Sequence, residues 1–142
     1  MLVRCLYASR ATQSPMSKLT DSILKTSRDN NPARGITGFL CFSGDIFIQV
    51  LEGGRNEVCE LFNRIVKDER HTNVRLLAYQ EIRQRKFGTW TMGQVDLSKV
   101  NMGLLLKDHE KADFDPFTCS GEATLALLDE LVATASIVGR SQ

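Results

Sequence analysis

Residues 38–51 read GFLCFSGDIFIQVL, two apolar runs on either side of a Ser43-Gly44 pair. Apolar runs that flank a glycine-containing turn predict a β-hairpin. Gln49 interrupts the second run with a primary amide, which has two donor hydrogens and an acceptor oxygen. A buried amide without partners costs roughly 1–3 kcal/mol. Gln49 therefore requires either polar groups of the fold or the polar edge of a ligand beside it.

Apolar periodicity on both sides of this hairpin predicts the remaining secondary structure. The helix after the hairpin is the clearest, since its apolar residues fall at helical spacing on one face. The first helix has only a thin apolar stripe of Leu19, Ile23 and Leu24, so we expect part of its inner face to contact something other than protein. The predicted elements are strands at 2–8, 38–42, 45–51, 74–82 and 90–97 and helices at about 14–28, 55–67, 102–107 and 122–136.

The order β-α-β-β-α-β-β predicts an α+β fold of the ferredoxin-like type. In that plan both helices lie on one face of a mixed sheet. The opposite face then requires a cover, which we assign to the helices predicted after the last strand. The length of the chain fits one domain, residues 1–98, followed by a C-terminal helical extension, residues 99–142.

The composition argues against several classes of protein. With 142 residues and 42% apolar content the chain can build a packed core, and its net charge of +1 gives no basic surface for nucleic acid. Its four cysteines lack the close spacing of a zinc site, so we expect no metal. The sequence contains neither a signal pattern nor a run of about 20 apolar residues. We therefore expect a cytoplasmic protein that does not enter a membrane.

Several polar or aromatic side chains are expected between the sheet and the two helices. Tyr7 and Gln49 lie on strands that are neighbours in the ferredoxin-like order, so both can stand on one face. Each such position also has a simpler interpretation as core packing, a helix stop or a solvated loop. None supplies an activated nucleophile or a paired acid and base, so the residues indicate a binding domain rather than an enzyme. The other members of this group are Asn30-Asn31, Arg70-His71, Trp90 and Met92.

Taken together, these residues resemble the signature of the BLUF family, which are blue-light sensors that bind a flavin. The resemblance covers residues 2–97 in register, and the chain resembles the short, stand-alone members. The run from Gln49 to Gly53 and the paired asparagines are its more specific parts. The motifs are Tyr7-x-Ser9, Asn30-Asn31, Gly35-Ile36-Thr37-Gly38, Phe47-x-Gln49-x-Leu51-Glu52-Gly53, Asp68-x-Arg70-His71 and Trp90-x-Met92.

The resemblance implies a non-covalently bound flavin between the two helices of residues 1–98. Tyr7 would donate an electron and a proton to the excited flavin, and Gln49 would bridge Tyr7 and the flavin N5/O4 edge. FAD is the usual cofactor of the family, although FMN and riboflavin share the same ring. The other implied cofactor contacts are Asn31 and Asn30 at the pyrimidine edge, Ile23, Ile36, Phe47 and Ile65 around the ring, Arg70 and His71 at the ribityl-phosphate part, and Ser9.

The resemblance also implies how the light signal leaves the domain. The changed hydrogen bonds of Gln49 would act on the last strand through Trp90 or Met92, then on the C-terminal helices, and then on a signalling partner that no motif identifies. Light-dependent oligomers occur among the short members, so we expect a homo-oligomer. The alternative is that the apolar side of the tail helix covers the sheet of its own chain and does not mediate self-association.

Two other functions stay open if the resemblance is set aside. A ferredoxin-like module that binds a small metabolite would have the same order of elements and would be colourless. A hydrolase of the acylphosphatase type would need an arginine in a phosphate-binding loop after the first strand and an asparagine to place water. Arg10 and Asn30-Asn31 match that requirement only loosely.

Overall fold

The computed structural model of the protein describes residues 1–12, 16–88, 92–100, 103 and 115–134. Their order confirms the predicted β-α-β-β-α-β-β plan. The elements are β1 Leu2–Ala11, α1 Met16–Asn30, a 3-10 turn at Pro32–Arg34, β2 Thr37–Ser43, β3 Ile46–Gly54, α2 Arg55–Lys67, β4 His71–Ile82, β5 Gly93–Asp96, a 3-10 turn at Leu97–Lys99, and α3 Gly121–Ala133.

The strands form one five-stranded sheet in the order β4-β1-β3-β2-β5. β1 lies between β3 and β4 and is antiparallel to both. β2 and β3 form the predicted hairpin, and β5 is parallel to β2. The sheet is therefore mixed, and the α+β, ferredoxin-like prediction is confirmed.

The hairpin turn lies one residue later than predicted. Ser43 pairs with Ile46, so the turn consists of Gly44 and Asp45 rather than of Ser43 and Gly44. Gly44 has a φ of +59°, a conformation that residues with a side chain rarely adopt. Glycine is favoured at the first position of such a two-residue turn. The turn fixes the register of the hairpin and thereby the face on which Gln49 lies.

Each face of the sheet carries its own apolar core. α1 and α2 pack on the face that carries Tyr7 and Leu51. α3 packs on the opposite face through Leu127, Leu128 and Leu131. The prediction that a C-terminal helix covers the second face is confirmed for α3.

Long-range pairing explains why β1 and β4 are longer than predicted. β1 continues to Ala11, and β4 begins at His71, three residues before the predicted start at Val74. Ala11 and His71 are partners across the sheet, so each extension depends on the other. Sequence periodicity could not reveal this extension, because the pairing joins residues that are far apart in the chain.

Two predictions at the C-terminal end fall partly outside the described residues. β5 spans Gly93–Asp96, and residues 90 and 91 of the predicted strand lie outside the described part. The helix predicted at 102–107 also lies outside the described residues, apart from Gly103. α3 begins at Gly121, one residue before its predicted start, and is described to Ala133.

Candidate functional site

A cavity of about 140 Å³ lies between α1 and α2 over the centre of the sheet. A single buried water needs roughly 10–15 Å³, so this cavity has room for a much larger molecule. The face of α1 with few apolar residues lines it, as the thin apolar stripe indicated. The helical lining residues are Ile23, Thr26, Ser27 and Asn30 from α1 and Leu61, Arg64 and Ile65 from α2.

Tyr7 and Gln49 lie directly opposite each other in the pairing of β1 with β3. Both residues are buried, with 3% of each exposed, and both line the cavity. The Tyr7 hydroxyl donates a hydrogen bond to Oε1 of Gln49. The Nε2 of Gln49 donates to the Sδ of Met92 over 3.3 Å. The amide thus has protein partners at both ends, although a thioether is a weak acceptor.

The surroundings of Tyr7 keep its phenol protonated. Its ring centroid lies 5.7 Å from that of Phe62 and 6.2 Å from that of His71. Burial raises the pKa of Tyr7 far above its ordinary value, with smaller contributions from Cys5 and Asp68. In the ground state Tyr7 therefore acts as a hydrogen-bond donor rather than as a base.

Asn31 presents a buried amide nitrogen without a partner among the described residues. The residue is 2% exposed and lines the cavity. Its Nδ2 has no hydrogen-bond partner within the described part of the chain. The neighbouring Asn30 differs, since its Nδ2 donates to the Thr26 carbonyl over 2.8 Å. A buried donor at the edge of an apolar cavity fits a ligand with a polar rim, because leaving the donor unpaired costs roughly 1–3 kcal/mol.

Arg70 is engaged by its neighbours at one end of the cavity. Its Nη2 lies 2.6 Å from Oδ2 of Asp68, and its Nη1 donates to the Oγ of Ser22 over 3.0 Å. Burial by itself would raise the pKa of Asp68, but hydrogen bonds to Arg70 outweigh this effect and hold the pKa below its ordinary value. The pair joins the loop after α2 to α1.

His71 is held by polar groups on both sides of its ring. Its Nε2 lies 2.6 Å from the Ile65 carbonyl oxygen. A carbonyl can only accept, so Nε2 carries a hydrogen. In the neutral ring Nδ1 then accepts from the Ser9 hydroxyl, 2.8 Å away. Ser9 is thus buried behind His71.

The structure brings most of the predicted site residues to the cavity. Ser9 and Ile36 are buried but do not line it, and their cofactor contacts stay predictions. Met92 reaches the site through Gln49, and Trp90 lies outside the described residues. The predicted residues that line the cavity are Tyr7, Ile23, Asn30, Asn31, Phe47, Gln49, Ile65, Arg70 and His71.

Sequence reasoning missed several lining residues that helical spacing could have found. Thr26 and Ser27 follow Ile23 by three and four positions, so they share its helix face. On α2, Leu61 precedes Ile65 by four positions, and Arg64 follows Leu61 by three. Arg34 and Leu40 also line the cavity.

Arg10 does not take the position that a phosphate-binding loop would require. Its Nη1 lies 3.2 Å from Oδ1 of Asp45, and its guanidinium carbon lies 4.8 Å from the centroid of the Phe117 ring. Arg10 does not line the cavity. The geometry thus gives no support to the hydrolase alternative.

Two kinds of feature are absent from the described residues. No group of three or more His, Cys, Asp or Glu side chains in them could hold a metal ion. No helix among them is both long and apolar enough to cross a membrane.

The fold places an apolar cavity with a polar rim beside a hydrogen-bonded tyrosine and glutamine. The model of the BLUF family, described as sensors of blue-light using FAD, matches residues 2–93. The chain belongs to the BLUF family of blue-light flavin sensors, and the resemblance inferred from the sequence is confirmed.

Solved structures of BLUF proteins resemble the whole chain. The photo-activated state of BlsA has a TM-score of 0.81 at 32% identity and covers 93% of this chain and 95% of its own. The dark state of BlrB, a BLUF protein, has a TM-score of 0.79 at 30% identity and covers 94% of this chain and 96% of its own.

Curated relatives are similar over the sensor part alone. The photoactivated adenylate cyclase subunit beta of Euglena gracilis is 36% identical over 93 residues, which are 64% of this chain and 11% of that subunit. The blue light- and temperature-regulated antirepressor BluF of Escherichia coli K12 is 30% identical over 97 residues, 68% of this chain and 24% of the antirepressor. The chain thus spans about a tenth to a quarter of the length of these relatives.

Proposed function

We propose that this protein is a blue-light photoreceptor in which Tyr7 is the redox-active side chain and Gln49 carries the light-dependent hydrogen bonds. The observation that carries this proposal is the hydrogen bond from the buried Tyr7 hydroxyl to Gln49 at the edge of the cavity. The activity we propose is sensing and not catalysis on a substrate.

The cavity residues would hold the flavin through apolar contact and a few directed hydrogen bonds. Ile23 and Ile65 face the cavity from α1 and α2, and Phe47 faces it from β3. Asn31 would satisfy its unpaired amide on the polar edge of the ring. We propose FAD, the flavin in the family's description. FMN, present in a Klebsiella pneumoniae BlrP1 structure, and riboflavin have the same ring.

A bound flavin, once excited by blue light, supplies an electron acceptor beside the phenol. Tyr7 can give up an electron to this acceptor and then its proton along the existing hydrogen bond to Gln49, and both return to the phenol in the same cycle, so no net oxidation remains. Burial raises the pKa of Tyr7, which disfavours loss of the proton before oxidation. Burial therefore keeps the phenol neutral in the dark, and the hydrogen bond to Gln49 provides the path for its proton in the light.

Gln49 can convert this transfer into a structural change. An amide that rotates by half a turn, or changes tautomer, exchanges the positions of its donor and its acceptor. After rotation Oε1 would face the Sδ of Met92, and both atoms are acceptors. The present hydrogen bond from Nε2 to Met92 would then be lost. Light would thus free the thioether of Met92 from its contact with Gln49.

We propose that the signal then passes through β5 to the C-terminal extension. Met92 immediately precedes β5, whose Val95 packs in the same core as Leu127 and Leu128 of α3. Residues 1–98 would form the flavin-binding domain and residues 99–142 the output segment. The output would be a change in binding to a signalling protein or to a second copy of this chain, within the cytoplasm.

The proposal is tested by the visible spectrum of the purified protein before and after illumination. We expect a flavin absorption band that shifts reversibly to longer wavelength under blue light. Gln49→Leu should keep the flavin and lose the shift, because leucine has no donor or acceptor to exchange. Tyr7→Phe should do the same, because phenylalanine has no proton to give.

Three results would contradict the proposal. A colourless protein that binds no added flavin would favour the metabolite-binding alternative. A flavin band that bleaches without a reversible shift would contradict the photoreceptor role. A normal photocycle in Tyr7→Phe would exclude Tyr7 as the donor.

A further inference from the structure

Arg28 makes a long-range contact that links the end of α1 to the start of β5. Its Nη2 donates a hydrogen bond to the main-chain carbonyl of Met92 over 3.2 Å, across 64 positions in the sequence. The contact is partly buried, although Arg28 itself is an exposed residue. Arg28 has no ion pair among the described residues. Its charge is therefore available for the carbonyl.

Met92 is held from two sides by contacts of different strength. Its side chain is fully buried, and its Sδ accepts from Nε2 of Gln49 over 3.3 Å. Sulfur is a weak acceptor, so this bond by itself fixes the thioether poorly. The bond from Arg28 is charge-assisted and acts on the backbone of the same residue. The stronger hydrogen bond, from Arg28, thus positions Met92, whose sulfur accepts the weaker one from Gln49.

We propose that Arg28 is a positioning residue for the light response: it holds the backbone of Met92 so that Sδ stays against Nε2 of Gln49. This inference rests on the proposed function, since it concerns the same glutamine. Arg28 does not line the cavity. When the protein returns to the dark state, an anchored Met92 is already placed to accept from Gln49 again. Without the hydrogen bond from Arg28, the backbone of Met92 must first regain its dark-state position before Sδ can accept from Gln49.

A simpler role for Arg28 must be separated from this one. A cation in the last turn of a helix interacts favourably with the helix dipole, and Arg28 lies in the last turn of α1. Arg28→Lys keeps that charge but lacks the planar guanidinium that reaches the carbonyl. Arg28→Leu removes both. Lys25→Leu is the matched control, since Lys25 lies one turn earlier on α1 and, within the described part of the chain, forms its ion pair with the exposed Asp29.

The experiment measures the rate at which the illuminated holoprotein returns to its dark spectrum. We expect Arg28→Leu to retain the flavin and the red shift and to recover about fivefold more slowly, the order of effect of one partly exposed charge-assisted hydrogen bond. Arg28→Lys should be slow as well, and Lys25→Leu should match the wild type. Met92→Leu removes the sulfur acceptor, so adding Arg28→Leu to that variant should cause no further slowing.

A second measurement does not depend on the photocycle. Protein labelled with ¹³C in its methionine methyl groups gives an NMR signal for Met92, assigned by its absence in Met92→Leu. In the dark holoprotein this signal should move or broaden in Arg28→Leu and Arg28→Lys and stay unchanged in Lys25→Leu.

The outcomes separate this inference from the proposed function. A wild type without a reversible shift contradicts the photoreceptor proposal, and the methyl signal then still tests the contact. Recovery in Arg28→Leu that is unchanged or faster overturns the positioning role. A normal recovery rate in Arg28→Lys would show that Arg28 acts through its charge at the end of α1. If Arg28→Leu slows recovery as much in the Met92→Leu background as in the wild type, Arg28 does not act through Met92. Either result overturns the inference.

Discussion

Replacing the buried Glu52 by glutamine should destabilise the protein severely. Glu52 is fully buried near the end of β3. Its Oε2 lies 2.7 Å from both Nε and Nη2 of Arg4, its partner across the β1–β3 pair. Its Oε1 accepts from the main-chain N–H groups of Lys86 at 3.0 Å and Phe87 at 2.6 Å. Every polar neighbour of the carboxylate among these is a donor.

The size of the effect follows from this set of partners. A glutamine amide has one acceptor oxygen and one NH2 group, so Glu52→Gln must turn a donor toward either Arg4 or the loop N–H groups. It also leaves the buried guanidinium of Arg4 without its counter-charge. Removing one partner of a buried ion pair costs roughly 3–5 kcal/mol, and the retained oxygen puts Glu52→Gln near the lower end, about 3 kcal/mol. For a domain of this size that corresponds to about 10 °C in Tm.

Thermal unfolding followed by circular dichroism, with saturating flavin in every sample, measures this loss. The matched control is Asp45→Asn, which removes the carboxylate of the exposed ion pair between the turn residue Asp45 and Arg10 of β1. Exposed pairs contribute about 0–1 kcal/mol, so the control should lose at most roughly 3 °C. A Glu52→Gln protein that melts as the control does would refute the reasoning that the carboxylate is held by donors alone.

Three further predictions concern stability and flavin binding. The raised pKa of Tyr7 means that its stabilising effect is complete well below pH 10 and is lost as the pH rises above that value. Between pH 10 and 11 the wild type should therefore lose about 1 kcal/mol more than Tyr7→Phe in urea unfolding, and equal slopes would contradict the buried phenol. A Cβ on Gly121 would lie 2.1 Å from the Leu77 carbonyl oxygen, so Gly121→Ala should lower the free energy of unfolding by roughly 1–3 kcal/mol in the same assay. Glu122→Ala, at the exposed next position, should change that free energy by less than about 1 kcal/mol, and equal effects of the two substitutions would contradict the close approach. Asn31→Ala should weaken flavin binding about tenfold by fluorescence titration, and an unchanged Kd would show that its amide does not contact the cofactor.

Local patterns in the sequence predicted the elements of the fold, and the structure corrected mainly their ends. The α2 stretch from Arg55 to Lys67 was predicted at its observed limits, because an amphipathic helix repeats its apolar positions over neighbouring residues. β4 was predicted three residues too short, because its first residues are fixed by pairing with the far end of β1. The 3-10 turn at Pro32–Arg34 was not predicted, since its three residues are too few to give a periodic signal.

The sequence predicted which residues form the site but not which partners their side chains bind. Alternation along β1 and β3 indicated that Tyr7 and Gln49 can share a face, and the structure shows them bonded. Arg70 was expected at the phosphate part of a ligand, yet the structure shows its charge paired with Asp68 two positions away. Nothing in the sequence distinguishes a free arginine from a paired one, because side-chain partners depend on distances across the fold.

The sequence by itself determined the order of strands and helices, the turn at Gly44 and the residue types that a flavin sensor requires. These features depend on backbone preferences and on spacing between near neighbours, which a linear sequence records directly. Only the tertiary structure decided that Asn31 is left with an unpaired donor, that Gln49 contacts Met92, and that Arg28 reaches the start of β5. Those contacts join residues 43 and 64 positions apart or depend on burial, and both arise only when the sheet and its helices pack together.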